Sequence, residues 1–325
     1  MEILPPFALL RAKSIEQVLE WRLERPNSRL LGGGTDLIVN LRRGIGEAPE
    51  ALIDITGIDE MNIIEGDGET LRIGAAVKLA ALVDHSLVRE HYSGVAEAAQ
   101  SVAGASQRNM ATVGGNLCLD TRCIFYNQSE WWRVSNGYCL KYGGSKCHVA
   151  PKSSVCYATF SGDLAPALLV LDGEVEIAGR DGRRTVPLAD LYRRDGRDYL
   201  SLAPQEFVCS ARVHKAPDLR AAYDKIRVRR ALEFPLAGVA VALAREGGKL
   251  SALRAAVTGT NPWPVVIEDT ASLCGGGVDE ALLERFESLL KAQIMAMKTT
   301  FTSGHYRRRA ATVLARRLVQ KLFDG

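Results

Sequence analysis

The sequence predicts an α+β fold, and three observations support this prediction. Short apolar, β-branched segments alternate with amphipathic segments in the first third of the chain. Glycine-rich turns bound these segments, and two strand-like runs precede two amphipathic segments near the C-terminus. With 325 residues, of which 47% are hydrophobic, the chain is long enough for two or three compact units.

The elements of the first third can be predicted in order. Ser14 precedes an acidic residue and an apolar stripe, so a capped helix is expected at 14–24. Segments 51–58 and 70–84 have the composition of strands, and the second should lead into a helix. A further helix is expected at 95–102.

The rest of the chain has a similar α+β character. Segment 163–179 predicts a helix, a tight Asp-Gly turn and a strand. The proline and charges of 213–220 indicate a domain boundary. Segment 234–259 then predicts a hairpin around Glu-Gly-Gly-Lys, followed by helices at about 279–297 and 305–322. The arginines of the last helix favour a solvated face over a nucleic-acid patch.

Composition excludes several classes of function. The net charge of +3, from 41 basic and 38 acidic residues, attracts the chain to neither nucleic acid nor membrane. No apolar run approaches the length of a membrane span, and the first one is short for a signal peptide. We therefore expect a cytoplasmic protein whose function depends on local sites.

Two glycine turns are candidate anion sites. The motifs are "LLGGGTDLI" at 30–38 and "TVGGNLCLD" at 112–120. Glycines let an anion approach successive backbone N–H groups, although neither turn matches a Walker A or Rossmann motif. A surface turn is the alternative for each one. Two such turns in one chain suggest that they hold the diphosphate of a dinucleotide between them.

The glycine motifs and two later segments together resemble those of a known protein family. "GGGTDL", "QRNMATVGGNL" and "SGDLAPALLVLD", in this order, resemble the FAD-binding subunits of the molybdenum hydroxylase family. "YDKIRVRRALEFPLAGVAVAL" resembles the family's C-terminal domain. The resemblance implies an FAD-binding domain of the PCMH/VAO type with subdomains 1–57 and 58–216. An α/β domain of the CO dehydrogenase flavoprotein type should follow at 217–325.

The resemblance also implies which residues bind FAD, and it implies no catalytic residue in this chain. The implied residues belong to the two glycine loops, the segment after the second loop, the Ser-x-Asp segment and a later strand: Leu31, Gly32, Gly33, Gly34, Thr35, Asp36, Leu37, Thr112, Gly114, Gly115, Asn116, Asp120, Asp163 and Lys225. For Lys225, the alternative is an exposed strand lysine.

An insertion at about 122–158 separates the second glycine loop from the Ser-x-Asp segment, which lie close together in typical members. It contains Cys123, Cys139, Cys147 and Cys156, with too many aromatic residues for a disordered linker. Disulfides conflict with a reducing compartment. Zinc sites usually include a Cys pair about two to four residues apart, which is absent here. An iron–sulfur cluster needs four thiolates in an apolar wrap, so the spacing leaves zinc and cluster both open.

The insertion is also basic, and the other cysteines have separate roles. Segment 122–160 contains one acidic residue, Glu130, and five basic ones: Arg122, Arg133, Lys141, Lys146 and Lys152. This excess could offset an anionic cluster and attract an acidic electron carrier, with a basic surface loop as the alternative. Cys118, in the second glycine loop, is assigned to packing, and Cys209 and Cys274 are expected to be core residues.

The insertion resembles that of the family's reductive members, which remove a phenolic hydroxyl group instead of adding one. This resemblance implies a [4Fe-4S] cluster on Cys123, Cys139, Cys147 and Cys156. It also implies that electrons from ferredoxin pass through the cluster and FAD to partner subunits, a [2Fe-2S] small subunit and a molybdopterin-containing large subunit. The heterotrimer should be doubled, with no nucleic-acid or membrane partner.

The sequence is also compatible with two other functions. One is an oxidative hydroxylase subunit that passes electrons outward to NAD, oxygen or a quinone. The other is a zinc-bearing docking protein without flavin, against which the two intact glycine loops argue.

Overall fold

The computed structural model describes residues 4–216, 218–229 and 232–325. The strands are β1 (Ala8–Arg11), β2 (Ser28–Leu31), β3 (Ala51–Asp54), β4 (Ile64–Gly66), β5 (Thr70–Gly74), β6 (Glu174–Gly179), β7 (Gly182–Pro187), β8 (Phe207–His214), β9 (Arg220–Ile226), β10 (Ala237–Glu246), β11 (Lys249–Thr258) and β12 (Val265–Val266). The helices are α1 (Ile15–Glu24), α2 (Leu37–Arg42), α3 (Leu79–Asp84), α4 (Ser86–His91), α5 (Ser93–Ser101), α6 (Ala105–Arg108), α7 (Val113–Leu117), α8 (Glu130–Ser135), α9 (Leu164–Leu169), α10 (Glu280–Gln293) and α11 (Gly304–Asp324). The mixture of helix and sheet confirms the predicted α+β fold.

The N-terminal sheet is parallel, with strand order β1-β3-β2. Its first crossover is α1, which begins where predicted because the Ser14 hydroxyl accepts a hydrogen bond from the Gln17 N–H at 3.3 Å. Ile15 and Val18 are buried against the core. The second crossover contains the first glycine loop and α2, so the loop lies at the carboxyl end of β2.

The second sheet is antiparallel, with order β4-β5-β8-β6-β7. Leu71 and Ile73 of β5 are buried, as the alternation of an antiparallel strand with one covered face requires. Helix α9 leads into β6 through Asp172 and Gly173, and Asp172 has φ +52°. The chain then crosses from β8, which ends at His214, to β9 in a third sheet.

The third sheet has order β12-β11-β10-β9 and is covered on both faces. Val239, Val241 and Leu243 of β10 pack in one core with α10 and α11, whereas Ala240 and Ala242 belong to the core of the FAD-binding part. Small side chains on that face let α5 approach closely: a Cβ on Gly94 would lie 3.0 Å from the Ala221 carbonyl carbon.

The insertion is a folded unit that is tied to the rest of the chain. Arg133, on α8, is 1% exposed and donates to the carbonyl oxygens of Tyr126 at 3.3 Å and Gly44 at 2.5 Å. Its guanidinium lies over the Tyr142 ring at 4.7 Å. At the other side, the Thr159 and Thr299 hydroxyl oxygens are 2.6 Å apart, which ties the insertion's end to the C-terminal part.

The arginine-rich last helix does not present all its arginines to solvent. Arg307 is 1% exposed and donates to the Leu236 carbonyl at 3.0 Å, the Met297 carbonyl at 2.9 Å and the Thr299 hydroxyl at 2.9 Å. The first turn of α11 enters between the third sheet and the preceding loop, where these oxygens need a donor. Across the described residues, no helix combines the length and apolar character that crossing a membrane requires.

Candidate functional site

A cleft of about 580 Å³ lies between the N-terminal and second sheets and is lined by both glycine loops. Its volume is in the usual range for cofactor sites, about 300–1,000 Å³. Every residue for which FAD binding was expected lines the cleft except Leu31 and Lys225. The structure thus brings together two loops that are distant in the sequence.

The two loops are in direct contact, which explains the glycines of the first. A Cβ on Gly33 would lie 1.8 Å from the Met110 carbonyl oxygen, and one on Gly32 would lie 2.6 Å from Thr112 Oγ1. Gly34 has φ +70°, a conformation that favours glycine. These positions therefore need glycine because of the close contact between the loops and the positive φ of Gly34.

The second loop is held by its own polar residues. Thr112 Oγ1 accepts from the Gly115 N–H at 3.1 Å and starts α7. Asn116 Oδ1 accepts from the Leu164 N–H at 3.0 Å, which connects the loop to α9. Cys118 also lines the cleft and packs against the core, and burial raises the pKa of its thiol to about 12.

Asp36, at the end of the first loop, is held in an ion pair with Arg122. Asn40 also donates to the Asp36 carboxylate at 3.0 Å. The Arg122 guanidinium lies 4.8 Å from the centroid of the Phe234 ring, and burial lowers the pKa of Arg122 to about 10. Arg122 therefore connects the first loop, the start of the insertion and the C-terminal part.

Asp163 and Lys225 form a buried pair beside the cleft. The Lys225 ammonium is 3.0 Å from Asp163 Oδ1, and the Tyr223 hydroxyl donates to the same oxygen at 2.6 Å. Burial raises the pKa of Asp163, and Lys225 opposes this effect. Lys225 is buried and lies behind Asp163, so the alternative of an exposed strand lysine is wrong. Asp163 faces the cleft and Lys225 supports it.

Two further segments line the cleft, at 197–206 and 232–234, and sequence reasoning missed both. Glu206 organises the first: its carboxylate accepts from Arg184 at 2.8 Å and from the Ala203 N–H at 2.9 Å. The hydrogen bond from Arg184 lowers the pKa of Glu206. No glycine motif or periodicity marks these segments, because their place at the cleft depends on tertiary packing.

A second, smaller cavity of about 10 Å³ lies in the insertion, and we call it the thiol cavity. Four cysteines line it and are all buried, with exposures of 4–8%: Cys123, Cys139, Cys147 and Cys156. Other lining side chains are aromatic or apolar, with one lysine and one histidine: Phe125, Tyr126, Leu140, Lys141, His148, Val149 and Ala158. The four predicted metal ligands therefore converge.

All four thiols are buried, and that of Cys156 accepts a hydrogen bond. The Ala158 N–H donates to Cys156 Sγ at 3.3 Å, a bond that stabilises a thiolate. Burial raises the pKa of Cys156 to about 12 and that of Cys123 to about 11, as is usual for thiols in apolar surroundings. Within the described ranges, no three or more His, Cys, Asp or Glu side chains are arranged so that they could hold a metal ion. Four cysteines are the donor set of a four-iron cluster, whereas the cavity between them, at about 10 Å³, has the volume of about one water molecule.

The insertion is less basic at its surface than its sequence suggested. Three of its basic side chains are paired with acidic ones: Arg122 with Asp36, Arg133 with Glu130, and Lys141 with Asp120. Lys146 and Lys152 are the exposed ones. Most of the predicted positive excess thus serves internal ion pairs, because burial of a cation requires a partner.

Comparisons with known proteins agree with this geometry. The profile "FAD binding domain in molybdopterin dehydrogenase" matches residues 5–214, and "CO dehydrogenase flavoprotein C-terminal domain" matches residues 221–322. The aldehyde oxidoreductase FAD-binding subunit PaoB of Escherichia coli is 31% identical over 299 residues, which cover 89% of this chain and 91% of that protein. The carbon monoxide dehydrogenase medium chain of Afipia carboxidovorans is 24% identical, over 91% of this chain and 88% of that protein.

Solved structures have the same fold. Reconstituted CO dehydrogenase from Oligotropha carboxidovorans matches with a TM-score of 0.82 at 22% identity, covering 99% of both chains. Quinoline 2-oxidoreductase from Pseudomonas putida 86 matches with a TM-score of 0.79 at 18% identity, again over 99% of both. The chain therefore belongs to the molybdenum hydroxylase family, as an FAD-binding subunit of an oxidoreductase.

Proposed function

We propose that this chain is the electron-entry subunit of a molybdenum enzyme that reductively dehydroxylates 4-hydroxybenzoyl-CoA to benzoyl-CoA, in anaerobic degradation of aromatic compounds. The chain would receive electrons from reduced ferredoxin at the thiol cavity and pass them to the FAD cleft and on to partner subunits. When bound, a [4Fe-4S] cluster supplies one-electron chemistry, and FAD exchanges one or two electrons.

The observation that carries the proposal is the convergence of four buried cysteines on one cavity. They come from separate turns of the insertion, yet each is at least nine-tenths buried. The insertion that holds them is ordered by Arg133 and by aromatic rings in contact, such as those of Tyr138 and Tyr142, whose centroids are 5.5 Å apart. Four thiolates in an apolar wrap are the ligand set of a [4Fe-4S] cluster.

We propose the following roles for the residues that line the cleft. The contact between the two glycine loops holds their backbones in place at one side of the cleft, where the diphosphate of FAD would bind. Asp163, held by Lys225 and Tyr223, presents a fixed carboxyl group to the bound cofactor. Glu206 holds the wall formed by 197–206 through the Ala203 N–H. These residues bind and orient; none is proposed to act on the aryl substrate.

The proposed partners follow from the family. Relatives are named as FAD-binding subunits or medium chains, so we propose a molybdopterin-containing large subunit, a [2Fe-2S] small subunit and a dimer of such heterotrimers in the cytoplasm. The aryl substrate would bind on the large subunit. The exposed Lys146 and Lys152 lie on the insertion, where an acidic ferredoxin could approach.

A second candidate is an oxidative hydroxylase subunit that passes electrons to NAD, oxygen or a quinone. The observation in its favour is the 31% identity to an aldehyde oxidoreductase subunit. The purified complex separates the two. Reduction of 4-hydroxybenzoyl-CoA by reduced ferredoxin supports our proposal, whereas turnover only of an oxidisable substrate with NAD, oxygen or a quinone supports the second candidate.

The cofactor content tests the electron-entry role. The chain is purified anaerobically, its visible spectrum is recorded, and iron, acid-labile sulfide, zinc and flavin are counted. We expect about four irons, four sulfides and one FAD per chain. Zinc without labile sulfide would contradict the electron-entry role.

A further inference from the structure

One buried ion pair connects the two cavities. Lys141 lines the thiol cavity, and Asp120 lines the FAD cleft. The Lys141 ammonium is 2.8 Å from Asp120 Oδ1, and the two side chains are 5% and 19% exposed. Among the described residues of the insertion, Lys141 alone both lines the thiol cavity and forms an ion pair with a carboxylate that lines the cleft.

The ammonium group is fully held in this position. It donates to Asp120 Oδ1 at 2.8 Å, Thr121 Oγ1 at 2.7 Å and the Gly196 carbonyl at 2.8 Å, which uses all three of its protons. The rings of Tyr126 and Tyr199 lie 5.0 and 5.3 Å from it. Its position cannot change without breaking several contacts, so its charge acts as a fixed one.

The Lys141–Asp120 pair places opposite charges at the two cavities. Its positive end lies at the thiol cavity, which Lys141 lines together with Cys156. Its negative end lies at the cleft. A cation that is shielded from water interacts with a neighbouring anion more strongly than an exposed one does, because solvent and salt screen it less.

We propose that Lys141, held by Asp120, is a positioning residue that sets the reduction potential of the group bound by the four cysteines relative to that of FAD. Reduction adds one negative charge at the thiol cavity, and the ammonium group stabilises it. The Asp120 carboxylate opposes added negative charge at the cleft. This inference rests on the proposed function, since it assumes a redox group on the cysteines.

Substitutions test each end of the pair. In the anaerobically purified chain, the iron–sulfur potential is measured by EPR-monitored titration and the FAD potential by absorbance. For Lys141→Met we expect a fall in the iron–sulfur potential of at least about 59 mV, a tenfold change in the ratio of reduced to oxidised form for one electron. Asp120→Asn removes a negative charge, so both potentials should rise.

Two variants serve as controls. Lys146→Met deletes the same charge next to Cys147 but at an exposed position, so its shift should be less than half that of Lys141→Met. Lys141→Arg keeps the charge and should restore most of the wild-type potential. If Lys141→Met does not retain iron, the reduction potentials of Asp120→Asn and Lys141→Arg are compared with those of the wild type. That comparison then decides whether the ion pair sets the potential.

The outcomes separate this inference from the proposed function. A wild-type chain without about four irons overturns both. A chain with the full iron content whose potentials are unchanged in Asp120→Asn, or shifted equally by Lys141→Met and Lys146→Met, overturns the inference alone. A larger shift at Lys141, with recovery in Lys141→Arg, supports it.

Discussion

The α-carbon of Gly33 faces the Met110 carbonyl oxygen so closely that a Cβ would lie only 1.8 Å from it. The two residues belong to loops that are distant in the sequence and that together form one side of the cleft. The neighbouring Gly32 meets Thr112 in the same way, at 2.6 Å. The cleft therefore depends on a backbone contact that no other residue type permits.

Replacement of this glycine should disturb the cleft. For Gly33→Ala, the backbone at Met110 must move, and overpacking of this kind costs about 1–3 kcal/mol. FAD affinity should fall by about 5- to 150-fold, measured by fluorescence titration of the apoprotein. Gly276→Ala is the matched control, since nothing lies within 4 Å of its Cβ position. Equal FAD affinity in both variants would contradict the role of the contact.

The cysteines of the thiol cavity should bind iron independently of flavin. Cys139→Ala removes one of the four proposed ligands, so we expect loss of most iron and retention of FAD, measured by metal analysis and flavin absorbance. Cys274→Ala, at a cysteine outside both cavities, should change neither. Loss of flavin with iron retained would mean that Cys139 belongs to a different site.

Arg133 should be the main support of the insertion. In Arg133→Met, three carbonyl oxygens lose their donor, those of Tyr126, Gln128 and Gly44. An unsatisfied buried group costs about 1–3 kcal/mol, so the insertion should open more readily and exchange its amides faster. Hydrogen exchange and limited proteolysis measure this, with Arg317→Met at an exposed position as the control. Protection equal to the wild type would assign the support to other residues.

Acid should weaken the cleft through Glu206. Its pKa lies below the ordinary 4.5 because Arg184 donates to it, so its stabilising contribution is complete above about pH 4.5 and is lost as the pH falls through the folded-state pKa. FAD release on acidification should therefore include a step that Glu206→Gln removes. Glu280→Gln, at an exposed ion pair remote from the cleft, should keep the step. A pH profile that is the same in Glu206→Gln and the wild type would exclude this role.

Local patterns were sufficient to predict much of the fold. The Ser14 cap, the hairpin around Gly247 and Gly248, and the last two helices all appear near their predicted positions. Each depends on interactions within a few residues of the chain. Helix α10 ends at Gln293, earlier than predicted, because the buried Ile294 is already extended, with ψ 121°.

The site was predictable only in part. Glycine loops and grouped cysteines have a signature in the sequence, so the two loops of the cleft and the four cysteines of the thiol cavity were anticipated, whereas segments 197–206 and 232–234 were not. The burial of Arg133, Lys141 and Arg307 was not predicted. The sequence does not show whether water or a carbonyl oxygen accepts the hydrogen bonds of an arginine or lysine. Their partners, such as Gly44 for Arg133, are remote in the chain.

The contact between Thr159 and Thr299 has a consequence for biosynthesis. These residues are 140 positions apart, and the Ile124 N–H also donates to the Thr299 carbonyl at 2.9 Å. Since chains fold from the N-terminus as they leave the ribosome, the insertion emerges long before Thr299 does. The two contacts that join Thr299 to the ends of the insertion therefore form only once the chain has been made as far as Thr299, so the insertion must first fold without them.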